Sequence, residues 1–289
     1  MDEFIKNIRS LYGDRGTAWL ESLPKLVARK TQQWGLSDLV LMNNLTYHYV
    51  LSGMQNGQPI VLKMGLDAQA LSKEIAALKV FQGFGAVSLI DQLDGALLLA
   101  RAVPGSSLRS CFPEHDKRAL QIMCDVMHVL HKAPYAAHNF QHISDWLAVF
   151  DNQSSVPVEY VNKARTLREK LLASIIKPVL LHGDLHHDNV LEHGNAWMVI
   201  DPKGVVGDPL FEVSAFICNP LSDLLARKDA SIIIAERIVH CAHILKTDAQ
   251  HIKEWCFIRA MAGWMWAHED GLEDTLFKQL AKILLVLEV

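Results

Sequence analysis

The hydrophobic period of this chain changes once, near residues 101–106, and that change limits the folds open to it. Ahead of it lie short apolar runs bounded by turn signals. "LVLM" at 39–42 and "YHYVLSG" at 47–53 read as strands, "MQNGQ" carries an Asn56-Gly57 turn, and "PIVLKM" at 59–64 is a third strand. Ala68 to Phe81 is spaced as a helix, and "VSLIDQ" and "GALLLAR" form two more strands around Asp94-Gly95. A first helix is expected over about 17–33, broken at Leu23-Pro24. "AVPGSSL" at 102–108 then reads as a Pro-Gly connection that ends a lobe. Beyond it, "KRALQIMCDVMHVLHK" places Leu120, Cys124, Met127 and Leu130 on one stripe, "VNKARTLREKLLASI" is another helix, and everything after Pro209 is helical. The expectation is an α+β chain: a small antiparallel β-sheet lobe, residues 1–101, and a larger helical lobe, residues 102–289.

Length and charge narrow the partners. The 289 residues suffice for two cores, and a formal net charge of -4 supplies no basic field for nucleic acid. The five cysteines are odd in number and widely spaced, which argues against a disulfide framework and for a reducing compartment. "MDEFIKNIRS" has no apolar signal segment and no apolar run is long enough to span a bilayer, so a cytoplasmic location is expected.

Three features carry chemistry. In the helix over 68–81, Glu74 shares the apolar stripe of Leu71, Ile75 and Leu78. A carboxylate there is costly unless paired, and the preceding strand offers Lys63. A strand lysine paired to a helix glutamate holds nucleotide phosphates in protein kinases, although an exposed lysine and a peripheral glutamate fit the same pattern. The second feature is "LLHGDLHHDNVL" at 180–191, where His182, Asp184 and Asn189 stand as H-x-D-x-x-x-x-N. In a kinase catalytic loop the aspartate accepts the proton of the attacking hydroxyl and the asparagine oxygen binds magnesium. The third is Asp201, which follows a hairpin around His193-Gly194-Asn195 and can serve as a second magnesium ligand. The same histidines and aspartates could instead hold a transition metal in a hydrolase, but no H-E-x-x-H motif is present and Lys63, Glu74 and Asp201 would have no role. His186, His187 and His193 read as solvated loop or turn residues. Trp264 and Trp266 read as core residues or as lining of a substrate site.

With these residues in hand the chain resembles the aminoglycoside phosphotransferases, which share the two-lobed protein-kinase-like fold. "LLHGDLHHDNVL" resembles their catalytic loop and "VIDPKGVVGDP" their magnesium segment. "AWLESLPKLVARKTQQWGLS", "LLLARAVPGSSL" and "WCFIRAMAGWMWAHEDG" are similar to the streptomycin 6-phosphotransferase and hydroxyurea phosphotransferase branch. The resemblance implies ATP or GTP, Mg2+ and transfer of the γ-phosphate to a hydroxyl of a small molecule. It implies Asp184 as base, Asn189 and Asp201 as metal ligands, Lys63 as phosphate-binding residue and Glu74 as its partner. Backbone groups of Ala100 and Ala102 would meet the base of the nucleotide, provided Leu99 ends its strand.

Two departures qualify the resemblance. The segment "NNLTYHY" between the first strands has no glycine, which leaves a catalytically weak, pseudokinase-like binding module as an alternative. Only "PKGVV" separates Asp201 from Gly207-Asp208-Pro209, too little for a phosphorylated activation loop and in keeping with a small-molecule kinase. Near the end, Glu269, Asp270, Glu273 and Asp274 cluster where Ala260 to Phe277 holds no lysine or arginine. A solvated acidic helix end explains them. With Asp208 they are also candidates for attracting a cationic acceptor across a loop bent at Gly271.

Overall fold

The computed structural model describes residues 1–43 and 45–289, and the chain divides into two compact units. The first comprises Met1–Gly83 and Val87–Val103. It opens with α1 (Asp2–Trp34), followed by β1 (Leu36–Leu41), β2 (Tyr49–Gln55), β3 (Gln58–Met64), α2 (Ala68–Phe81), β4 (Leu89–Leu93) and β5 (Ala96–Ala100). The five strands form one antiparallel sheet in the order β1-β2-β3-β5-β4. Asn56 and Gly57, both at positive φ, make the tight turn between β2 and β3. The segment 43–49 expected to lie over phosphate includes residue 44, which falls outside the described residues.

The first helix departs from expectation. It starts at Asp2 and continues through Pro24, and the non-helical residue is Gly13 at φ 54 and ψ -130. A proline inside a helix costs about 3 kcal/mol. Burial of Phe4, Ile8 and Leu23 with Leu51, Ile60, Leu62 and Leu98 of the sheet offsets it, so packing decides where the helix runs.

The second unit is Phe84–Ala86 with Pro104–Val289. Its elements are β6 (Pro104–Ser107), α3 (Asp116–Leu130), β7 (Gln141–His142), α4 (Ile143–Leu147), α5 (Val158–Ala173), β8 (Val179–Leu181), β9 (Val190–His193), β10 (Ala196–Val199), β11 (Val205–Gly207), α6 (Pro209–Ile217), α7 (Leu221–Leu225), α8 (Ala230–Leu245), α9 (Ala249–Glu269) and α10 (Thr275–Val286). The division therefore falls at Val103/Pro104 rather than at 101/102. Residues 84–86 join the second unit because the Val199 N–H donates to the Gly85 carbonyl at 2.8 Å. The Pro-Gly connection is a strand: Pro104 sits at its first position, where no N–H is needed, and β6 pairs with β9. The expected hairpin is β9–β10, in the sheet β10-β9-β6, and a second small sheet runs β7-β11-β8.

Helix α9 is apolar nearly all round and buries Ile252, Trp255, Phe257, Ile258, Met261 and Met265. Such a helix belongs in the centre of a core. Among the described residues no helix is long and apolar enough to cross a membrane.

Candidate active site

In the first unit, β3 and α2 bring Lys63 and Glu74 together. Asp67 caps α2 by accepting the N–H groups of Gln69 and Ala70, each at 2.9 Å, which fixes the start of the helix. The buried face of α2 then carries Leu71, Glu74, Leu78 and Phe81. Lys63 Nζ donates to Glu74 Oε1 at 2.8 Å and lies 2.7 Å from Oε2, with both side chains buried. Removing either partner leaves a buried charge, at a cost of about 3–5 kcal/mol. Strand β5 ends at Ala100, one residue past Leu99, so the condition set for Ala100 and Ala102 is not met. The Ala100 N–H is spent on the Ser88 carbonyl at 2.9 Å, while Ala102 lies beyond the strand and is buried.

In the second unit, the loop 182–189 is held from beneath. Gly183 takes φ 86, a left-handed conformation that favours glycine, and a Cβ there would come within 2.9 Å of Trp146. The fully buried Glu212 of α6 accepts the N–H of His182 at 2.5 Å and of Gly183 at 3.0 Å. His182 is buried too. Its Nε2 donates to the Ile200 carbonyl at 2.8 Å and its Nδ1 accepts the Asp184 N–H at 3.2 Å, which sets the tautomer. Burial depresses its pKa despite the nearby Glu212 carboxylate, so the ring stays neutral.

Asp184 stands on this frame. Arg259 Nη2 of α9 donates to its Oδ1 at 2.7 Å, Arg259 Nη1 donates to the Gly183 carbonyl at 3.2 Å, and His186 Nε2 is 3.7 Å from Oδ2. Burial alone would raise the carboxyl pKa. His186, Arg259 and Lys203 outweigh it and hold the group well below the usual carboxylate range. Asn189 Nδ2 donates to the Asp184 carbonyl at 2.9 Å, which turns the amide so that Oδ1 is its acceptor end. Asp201 follows β10 at φ 59, a strained conformation for a non-glycine residue, and its Oδ2 accepts Lys203 Nζ at 2.7 Å. A carboxylate and an amide oxygen are hard donors of the kind that suit magnesium.

The histidines do not converge. His187 is fully buried rather than solvated, because the short turn at 187–189 directs it inward to stack on Phe216 at 3.8 Å. Its Nε2 is 3.8 Å from Asp116, which Arg237 grips at 2.6 and 2.7 Å. Burial pushes His187 down to about 4. His186 is half-buried and accepts the Asp188 N–H, and His193 ends β9 at the turn. Among the described residues no group of three histidine, cysteine or acidic side chains is placed to hold a metal ion.

The acidic candidates fare unevenly. Asp208 is a correction: it is buried, its Oδ1 caps α6 by accepting the Leu210 N–H at 2.8 Å, and its Oδ2 accepts Trp255 Nε1 at 3.2 Å. Both oxygens serve the fold. The chain does bend at Gly271, φ 63, and α9 ends at Glu269. Asp274 accepts Trp264 Nε1 at 2.9 Å, and Glu273 accepts the N–H and hydroxyl of Thr275 at the start of α10. Glu269 accepts Asn152 Nδ2 at 2.6 Å but remains exposed, as does Asp270. Trp264 is a core residue, whereas Trp266 is 37% exposed.

Glu212 and Arg259 are the residues that pattern reading missed. Each is the lone charge of an apolar run within its helix, "LFEVSAFI" and "CFIRAMAG". That is the signal that singled out Glu74, and it points equally to these two.

Comparison with known proteins bears on this geometry. Residues 33–271 match the family described as aminoglycoside/hydroxyurea antibiotic resistance kinase. The streptomycin 6-kinase of Streptomyces glaucescens is 26% identical over 274 residues, 90% of this chain and 88% of that protein. The hydroxyurea phosphotransferase of Kitasatospora aureofaciens is 25% identical over 270 residues, 90% of this chain and 77% of that one. Among solved structures, a thermostable mutant of aminoglycoside phosphotransferase APH(4)-Ia, in ternary complex with ADP and hygromycin B, has a TM-score of 0.66 at 16% identity, over 91% of this chain and 98% of that chain. That last likeness is one of fold.

Proposed function

Because the chain belongs to the aminoglycoside/hydroxyurea antibiotic resistance kinase family, and so is a phosphotransferase, we propose that it transfers the γ-phosphate of ATP to a hydroxyl of a streptomycin-like aminoglycoside or a related hydroxylated compound. The observation that carries this reading is the fixing of Asp184: one carboxylate oxygen is bound by Arg259, and the main chain beneath it is bound by Glu212 and Asn189. Phosphoryl transfer depends on positioning and charge neutralisation more than on a strong base. A carboxylate with a depressed pKa suits that task. It accepts a hydrogen bond from the acceptor hydroxyl, aligns its oxygen, and takes the proton as the bond to phosphorus forms. Lys63, oriented by Glu74, binds phosphate oxygens. Asn189 and Asp201 hold magnesium, which supplies neutralisation of the phosphate charge when bound. Lys203, already on Asp201, adds a further positive charge beside the reacting group.

The test is an acceptor screen with ATP and magnesium, streptomycin first and hydroxyurea second, scored by mass spectrometry for addition of one phosphate. Phosphorylated streptomycin with stoichiometric ADP supports the reading. Nucleotide binding with no transfer to any hydroxyl compound would select the binding-module alternative.

A further inference from the structure

The segment between β1 and β2 has no glycine, so its peptide groups need another source of order before they can meet a phosphate. The first residues of the chain supply one. At Gly13 the backbone leaves the helical region, with φ 54 and ψ -130, and residues 2–12 fold back on the helix that follows. A Cβ on Gly16 would come within 2.5 Å of the Ile8 carbonyl oxygen and 3.1 Å of the Ile8 side chain, the close approach that glycine permits. The folded-back residues meet the glycine-free segment and the strand after it. Phe4 and Ile8 are fully buried in the same apolar cluster as Leu45. The Phe4 ring meets that of Tyr49, the first residue of β2, with centroids 5.9 Å apart. Between these anchors Asn7 Nδ2 donates to the Thr46 carbonyl at 3.3 Å.

The last contact has a directional consequence. The peptide between Thr46 and Tyr47 is planar and trans, so its carbonyl and its N–H point in opposite directions. With the Thr46 oxygen turned to Asn7, the Tyr47 N–H points away from the folded-back residues. Among the described residues it has no acceptor, and Thr46 and Tyr47 are both exposed. A main-chain N–H held in this way is a donor suited to a phosphate oxygen. The same segment runs on to the phosphate-binding lysine: Val50, three residues after Tyr47, pairs with Lys63 across β2 and β3. The family match begins at residue 33, so residues 2–12 lie outside it and belong to this chain.

We propose that residues 2–12 brace the glycine-free segment, and that Asn7, by holding the Thr46 carbonyl, presents the Tyr47 N–H to a phosphate of the bound nucleotide. Tyr47 binds through its main chain, and Asn7 is a positioning residue. This deepens the proposed kinase function and rests on it for the nucleotide. In a glycine-rich loop the absence of side chains lets backbone amides approach phosphate. Here the fixed orientation of one peptide group serves that end, and the exposed side chain of Tyr47 need not leave.

The experiment titrates a non-hydrolysable ATP analogue, and separately adenosine, into the full chain carrying isotope-labelled tyrosine, as wild type and Asn7→Leu, followed by calorimetry and NMR. Five tyrosines give five amide resonances, and Tyr47→Phe identifies the one of Tyr47. In the wild type the Tyr47 amide proton is expected to shift downfield with the ATP analogue and to stay in place with adenosine, which has no phosphate. Asn7→Leu keeps the shape of the side chain and removes the donor without adding charge. It should weaken the ATP analogue about tenfold, the order of one hydrogen bond to a charged group, and leave adenosine unchanged. A merely structural role for residues 2–12 would weaken both ligands alike. Binding of the analogue with the Tyr47 amide unmoved, or equal losses for analogue and adenosine in Asn7→Leu, would overturn the inference and leave the kinase reading in place. A shifted Tyr47 amide with no phosphate transfer to any acceptor would support the inference and end the kinase reading. A wild type that binds neither ligand would overturn both.

Discussion

Replacing Glu212 with glutamine tests how the catalytic loop is held. The carboxylate is fully buried and accepts two backbone N–H groups, from His182 at 2.5 Å and Gly183 at 3.0 Å, while His131 Nε2 lies 3.6 Å away. Glutamine keeps the volume but offers one carbonyl oxygen. The other N–H then faces an amide NH2, a donor against a donor. A hydrogen bond to a charged acceptor is worth about 1.5–3 kcal/mol, and a buried donor left unpaired costs about 1–3 kcal/mol. The expected destabilisation is about 3 kcal/mol. For a unit of this size, about 2–4 °C of melting temperature is lost per kcal/mol, so the midpoint should fall by about 6–12 °C. Calorimetry with wild type and Glu212→Gln measures it. A parallel assay well below both midpoints should show kcat reduced at least about tenfold, since loosening Gly183 moves Asp184 out of line. A variant within about 0.5 kcal/mol of wild type and with normal kcat would refute the argument that α6 holds the loop through this carboxylate.

The remaining predictions concern the proposed chemistry and its pH dependence. Asp184→Asn should retain the fold and nucleotide binding and lose about 10²–10⁴-fold in kcat, read by steady-state kinetics. Asp201→Ala should abolish magnesium-dependent turnover, and activity surviving with zinc alone would argue for other chemistry. Lys63→Met, which removes the ammonium group that the buried Glu74 accepts, should destabilise the first unit by about 3–5 kcal/mol in urea denaturation. His187 is held neutral in the fold at about 4, below its unfolded value. The unfolded chain therefore binds the extra proton first, and stability is complete above about pH 6.5 and falls by up to about 3 kcal/mol as pH drops to 4. His187→Phe should flatten that window in pH-dependent denaturation. Below it Asp116 follows: burial would raise its pKa, but Arg237 and His187 hold it at about 2, so its contribution is lost only as pH falls from about 4 towards 2.

How much of this was legible beforehand depended on whether a residue's partner lay nearby in sequence. The Lys63–Glu74 pair was readable because a strand and the following helix are adjacent, and the helix period placed Glu74 on the apolar face. The catalytic loop and the β9–β10 hairpin were readable because spacing and turn residues encode them locally. Strand β6 was not, since Pro104-Gly105 reads as a turn and only pairing with β9, more than eighty residues away, makes it a strand. Pro24 misplaced a helix break because burial on the sheet outweighs the local cost. Arg259 and Asp184 are 75 residues apart, and His187 turns inward only because Phe216 awaits it. The four clustered acids share a charge pattern but not a role: Asp274 accepts the Trp264 indole N–H and Glu273 the Thr275 N–H, whereas Glu269 accepts Asn152 and, like Glu273 and Asp270, stays exposed.

The claim at the centre of this account is that Asp184 positions a hydroxyl for transfer of the γ-phosphate of ATP. Phosphorus NMR of wild type and Asp184→Asn, each incubated with ATP, magnesium and streptomycin, tests it most directly. The account predicts a new phosphomonoester resonance matched by ADP in the wild type, with Asp184→Asn still binding nucleotide but forming the ester about 10²–10⁴-fold more slowly. Ester formation at the wild-type rate in Asp184→Asn would contradict it.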